Sequence, residues 1–137
     1  MTTGRCLCGA CRFDYDGAPK WTGYCHCDSC RRNCAAPVTA FLGVVDGHWR
    51  WTGDHPATFQ STDHATRFFC ATCGTPMAYA STRHPGEIHF YAAGLDDPSA
   101  FTPRNHFHYS ERLDWLPLTD DLPKHGTTAG EDFSDDG

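Results

Sequence analysis

Nine cysteines fall into three tight groups: Cys6, Cys8 and Cys11, then Cys25, Cys27, Cys30 and Cys34, then Cys70 and Cys73. Two thiolates one or two residues apart in a turn can face one ion, and Zn²⁺ takes four such donors at about 2.3 Å. The pairs Cys6/Cys8 and Cys70/Cys73 are half-sites of this kind. The simplest assembly joins them on one zinc and leaves Cys25, Cys27 and Cys30 to form a second site, so two metals are expected. The spacing also offers a competing pair, Cys8 with Cys11, although a buried small hydrophobe is the simpler role for Cys11.

Such groups need a scaffold that brings residues 6 and 73 together. Short β-rich runs recur at Cys11–Tyr15, Lys20–Tyr24, Val38–Val45, His48–Thr52, Thr58–Gln60, Arg67–Phe69, Met77–Ala80, Glu87–Ala93 and Asn105–Tyr109. Glycines and prolines punctuate them, as turns require. One short helix is expected over Asp28–Cys34, with Asp28 or Ser29 as its cap and its first N–H groups turned toward the thiolates. The large aromatics, Trp21, Trp49, Trp51, Phe68, Phe69, Phe90, Phe107 and Trp115, are read as the core and its rim. The predicted fold is mainly β, with short twisted antiparallel sheets organised around zinc over residues 1–125. Residues 126–137, rich in acidic and small side chains, read as a disordered tail.

The chain has 137 residues, which suits one domain with a modest core that metal crosslinks would supplement. A formal net charge of -6 and the lack of a basic stripe argue against a nucleic-acid partner. Residues 1–12 contain no apolar stretch of the signal-peptide kind, and no run of about eighteen apolar residues suggests a membrane helix. The expectation is therefore a soluble cytoplasmic protein with reduced thiols.

Gly4-Arg5-Cys6-Leu7-Cys8-Gly9, Cys25-His26-Cys27-Asp28-Ser29-Cys30-Arg31-Arg32 and Phe68-Phe69-Cys70-Ala71-Thr72-Cys73-Gly74 together resemble the glutathione-dependent formaldehyde-activating enzyme family, also called the GFA or CENP-V/GFA domain family. Gly94-Leu95-Asp96-Asp97-Pro98, His106, Trp115 and Asp121-Leu122-Pro123 extend the resemblance. It implies an Mss4-like fold, a structural zinc on Cys6, Cys8, Cys70 and Cys73, and a catalytic zinc on Cys25, Cys27 and Cys30 with an open fourth position. It further implies a carbon-sulfur lyase that interconverts a thiol and an aldehyde with their adduct, the family pair being glutathione and formaldehyde and the adduct S-hydroxymethylglutathione.

Cys34 departs from the family pattern. One helical turn beyond Cys30, it is placed either to close the second site as a fourth ligand or to remain outside it. A closed site would favour the alternative reading, a non-catalytic zinc-stabilised binding module. His26 is expected to point away from the ligands that flank it, and Arg31 and Arg32 to neutralise an anionic thiolate cluster. His106 and His108 are expected on one strand face, with His106 as a candidate pocket residue.

Overall fold

A computed structural model describes residues 1–128, and the last nine residues of the anticipated tail lie outside it. Its strands are β1 (Thr2–Arg5), β2 (Arg12–Tyr15), β3 (Trp21–Cys25), β4 (Thr39–Val45), β5 (Trp49–Trp51), β6 (Ala57–Gln60), β7 (Ala65–Phe69), β8 (Pro76–Ser81), β9 (Glu87–Tyr91) and β10 (His106–Phe107). One seven-residue helix, α1 (Asp28–Cys34), follows β3. The protein is thus mainly β, as its short alternating runs predict. Strand β1 was not anticipated, because Thr2–Arg5 is too short and too exposed to show a pattern. No helix among the described residues is long and apolar enough to cross a membrane.

The chain divides into two compact units, the first formed by Met1–Trp21 with Leu42–Phe101 and the second by Thr22–Phe41 with the chain from Thr102 onward. In the first unit, β1, β2 and β5 form an antiparallel three-stranded sheet. Strands β9, β8, β7 and β6 pair in that order in another sheet, all antiparallel. Phe13 of β2 stacks on Phe90 of β9 at 4.0 Å between ring centres, and Trp51 sets its edge against both rings. Stacked and edge-on aromatics of this kind contribute about 1 kcal/mol per pair beyond the area they bury.

Strand β9 is buried along its whole length, so both of its faces must be satisfied. Ile88 and Phe90 supply an apolar face, and period-two alternation sends Glu87 and His89 the other way. The Glu87 side chain is only 6% exposed, yet it is fully engaged: Lys20 Nζ, Trp21 Nε1 and His89 Nε2 each lie 2.7 Å from one of its carboxylate oxygens. Burial raises the Glu87 pKa, but the hydrogen bonds from His89, Lys20 and Trp21 outweigh it and hold the carboxyl at about 2.

A carboxyl depressed in the folded state stabilises the fold above its unfolded pKa, and that contribution fades as pH falls through the folded value. The window runs from about 4.5 down to about 2. A Glu87→Gln variant is therefore expected to be less stable than the parent by up to about 3 kcal/mol near neutral pH. The gap should close as pH approaches 2. Urea unfolding of both proteins across that range checks this, because acid effects common to both cancel in the difference.

In the second unit, β10 pairs in parallel with β3, His106 opposite Tyr24 and Phe107 opposite Cys25. Asn105 ties this pairing down, its side-chain amide donating to the Thr22 carbonyl at 3.0 Å. Beyond β10 the chain is held by backbone bonds from His106 N to Pro123 O and from His125 N to His106 O, both 2.8 Å. Within the anticipated tail, the carbonyls of Gly126 and Thr127 accept from Ser110 Oγ and from the His108 N–H. Of the aromatics assigned to the core and rim, Trp115 is 69% exposed and stands outside it.

Candidate metal centres

Both half-sites of the first group are built on similar turns. The Gly74 N–H donates to the Cys70 carbonyl at 2.8 Å and the Cys73 N–H to Cys70 Sγ at 3.4 Å. Gly74 adopts φ +79°, a left-handed conformation that lets the chain reverse immediately after the second cysteine. At the other half-site, the Gly9 N–H donates to the Cys6 carbonyl at 3.2 Å and the Cys11 N–H to Cys6 Sγ at 3.3 Å. N–H groups aimed at sulfur favour the thiolate.

These turns bring together four cysteines that the spacing had paired across more than sixty residues: the sulfurs of Cys6, Cys8, Cys70 and Cys73 all lie within 4.8 Å of one another. The Cys6–Cys8 and Cys8–Cys70 separations are 3.6 and 3.8 Å. Two thiolates on a tetrahedral zinc with bonds of about 2.3 Å sit about 3.8 Å apart, so these distances suit the ion. They are far beyond a disulfide bond, and none of the nine cysteines forms one.

The thiol acidities point the same way. The Ala10 N–H lowers the Cys8 pKa, but hydrogen bonding with Cys6 and burial prevail and push it up to about 11. The Thr75 hydroxyl and backbone N–H draw Cys73 down to about 5. Four thiolates this close cannot all ionise without a cation to compensate them, and a bound dication inverts that balance. Cys11 is buried beside the group but is not one of the four, and burial above all pushes its thiol up to about 12.

The second group is Cys25, Cys27 and Cys30, whose sulfurs likewise lie within 4.8 Å of one another. Cys25 ends β3 and Cys30 lies in the first turn of α1. The residue that caps α1 is Cys27 rather than Asp28 or Ser29, its Sγ accepting from the Cys30 N–H at 3.3 Å. The sulfur takes the place of the usual hydroxyl or carboxylate oxygen because the chain leaves the strand at Cys27, with extended φ and ψ, and Asp28 is already helical. Hydrogen bonding with Cys27 and Cys30, reinforced by burial, pushes the Cys25 thiol well above its ordinary value. Here too the thiols suit a cation. Cys34, at the last residue of α1, lies outside the group, so three donors converge and not four.

Arg31, which follows Cys30 directly, pairs with Asp28 at 3.6 Å and also bonds the backbone. Its Nε donates to the His26 carbonyl at 3.0 Å and its Nη2 to the Glu111 carbonyl at 3.3 Å. Arg32 is 80% exposed and pairs with Asp28 at 3.0 Å. His26 is buried and turns its ring toward His106, with Nε2 2.8 Å from His106 Nδ1. His106, fully buried, places its Nε2 2.9 Å from both carboxylate oxygens of Asp120. Burial works against the Asp120 charge, but the bonds from His106 and the Leu122 N–H prevail and lower its pKa. Burial foremost, then His106 and the Arg112 and Arg31 charges, lower the His26 pKa to about 4.

The shared strand face anticipated for His106 and His108 does not form. Strand β10 stops at Phe107, and His108 takes φ 52° to start the next turn. The chain of Asp120, His106 and His26 was not anticipated at all. Its only trace in the sequence was His106 as a candidate pocket residue, because the contact spans 80 residues and depends on the parallel pairing of β10 with β3.

Fold and site together define a small, mainly β protein with two convergent thiol groups that could each hold a metal ion, one of four sulfurs and one of three. The chain belongs to the glutathione-dependent formaldehyde-activating enzyme family, whose model matches residues 1–111. A curated relative from Schizosaccharomyces pombe, described as an uncharacterized lyase, is 30% identical over 79 residues. That match covers 58% of this chain and 57% of the relative, less than two thirds of its length. A crystal structure of a Rhodobacter sphaeroides protein from structural genomics is similar in fold, with a TM-score of 0.61 and 20% identity over 90% of this chain and 99% of that one.

Proposed function

We propose that the protein is a zinc-dependent carbon-sulfur lyase acting on the adduct of a small thiol and an aldehyde, of which S-hydroxymethylglutathione is the family example. The observation that carries this reading is the three-sulfur group, with Cys34 left outside it. Three protein donors leave a coordination position for an exchangeable ligand, whereas the four-sulfur group has the number that suits a structural ion. A zinc held by Cys25, Cys27 and Cys30 would supply a Lewis acid that makes a thiol ionise near neutral pH.

The remaining work falls to the chain. The cap on α1 fixes Cys27 against Cys30, and Arg31 clamps the backbone between the ligands through the His26 carbonyl. In the synthetic direction, the thiol sulfur attacks the aldehyde carbon, a carbon-sulfur bond forms, and the thiol proton ends on the new hydroxyl. In the lyase direction, that bond breaks and the proton returns to sulfur.

The assay is acceleration of adduct formation from glutathione and formaldehyde, with other small thiols and aldehydes in parallel, on protein purified under reduction. Saturable acceleration with at least one pair is expected. A protein that holds both metals but accelerates none of them would overturn the lyase reading in favour of a binding module.

A further inference from the structure

The three-sulfur site hangs on a turn whose middle residue, His26, is anchored by a chain of hydrogen bonds that runs through the buried His106 to the partly exposed carboxylate of Asp120. We propose that Asp120 is a positioning residue for this site: through His106 it fixes the tautomer and orientation of His26, and through His26 it holds the segment that carries Cys25 and Cys27. The role rests on the metal reading above, and its test needs no lyase turnover.

The direction of the chain follows from what each group can donate. An ionised carboxylate only accepts, so the His106 nitrogen 2.9 Å from both Asp120 oxygens must carry a hydrogen. With that single hydrogen on His106, its Nδ1 is bare, and the 2.8 Å contact then requires His26 to donate from Nε2. His26 Nδ1 is left as a buried acceptor, and it has no hydrogen-bond partner among the described residues.

The ring is fixed on its other sides as well. Tyr109 sets its edge against both imidazoles, at 5.2 Å from His26 and 5.4 Å from His106. The His26 N–H donates to the Phe107 carbonyl at 3.0 Å, and its own carbonyl accepts from Arg31. The His26 ring and backbone are therefore both immobilised, and the residues on either side are two of the three sulfur donors. Partners that orient metal ligands from behind typically matter about 10- to 100-fold in metal affinity or activity.

The substitution Asp120→Asn keeps the size of the side chain but can donate as well as accept, so it releases the constraint on tautomer without opening a cavity. The first readout is the ¹⁵N spectrum of the imidazoles in metal-loaded protein. The parent is expected to show one protonated and one bare nitrogen on both His26 and His106, with Nε2 protonated on each. The second readout is a competitive chelator titration. The variant is expected to show a mixed or reversed tautomer population in these two rings and to bind the second metal equivalent about tenfold or more weakly, with the first equivalent unchanged. Asp120→Glu, which restores a carboxylate, should recover most of both. A parent spectrum with a doubly protonated His106, or an Asn variant with unchanged tautomers and unchanged affinity, overturns the proposal. Neither readout needs turnover, so a failure of the lyase assay leaves this test standing.

Discussion

Replacing Cys25, Cys27 and Cys30 together with serine is expected to remove one of two metal equivalents and abolish turnover while leaving a folded protein. Serine nearly matches cysteine in size, so the replacement opens little space at the buried positions 25 and 30. A neutral hydroxyl is a poor zinc donor beside a thiolate. With the metal gone, several kcal/mol of charge stabilisation at the reacting sulfur or oxygen disappear, which is on the order of a thousandfold or more in rate. The companion variant Cys34→Ser separates the open site from a closed one, because Cys34 lies outside the convergent group. It should retain two metals and the parental turnover. Loss of the second metal from Cys34→Ser would place a fourth thiolate on the ion and argue for a structural site.

The opposite pattern is expected at the first group. A Cys70→Ser variant, or removal of metal by a strong chelator, should unfold the first unit rather than silence a site. The reason is the length of chain that the sulfurs close: Cys8 and Cys70 are 62 residues apart and their sulfurs 3.8 Å apart. Structural zinc on cysteine donors contributes about 10 kcal/mol or more of apparent binding free energy, and a domain of this kind has only about 5–15 kcal/mol of total stability. Without the ion, Cys6 and Cys70 are left as unligated sulfurs in the core at 1% exposure. Circular dichroism with metal analysis checks the contrast: collapse of the β signal in Cys70→Ser, against a preserved signal in the triple-serine variant. A Cys70→Ser protein that stays folded with parental stability would show that the four-sulfur group carries no structural ion.

What the sequence revealed depended on how local the determining contacts were. The pairing of Cys6 and Cys8 with Cys70 and Cys73 was legible because each half-site is set within three or four residues. Four matched donors then leave little choice of assembly. Helix α1 was legible over Asp28–Cys34 for the same reason, although its cap was misassigned, since a sulfur acceptor at Cys27 does not carry the usual capping signature. The Glu87 network and the chain from Asp120 through His106 to His26 were hidden. Glu87 meets Lys20 and Trp21 across 67 and 66 residues, and nothing in an alternating Glu-Ile-His-Phe run tells that both faces will be buried. His108 was misplaced for a related reason: the alternation of Asn105-His106-Phe107-His108 continues one residue further than the strand does.

The most direct test of the central claim is metal content per chain on protein purified under reduction, combined with the zinc-edge absorption spectrum during titration with glutathione and formaldehyde. The account predicts two zinc ions per chain, one of which changes its ligand set when the thiol is added while the other keeps four sulfurs. One zinc per chain, or two that both ignore the thiol, would contradict it.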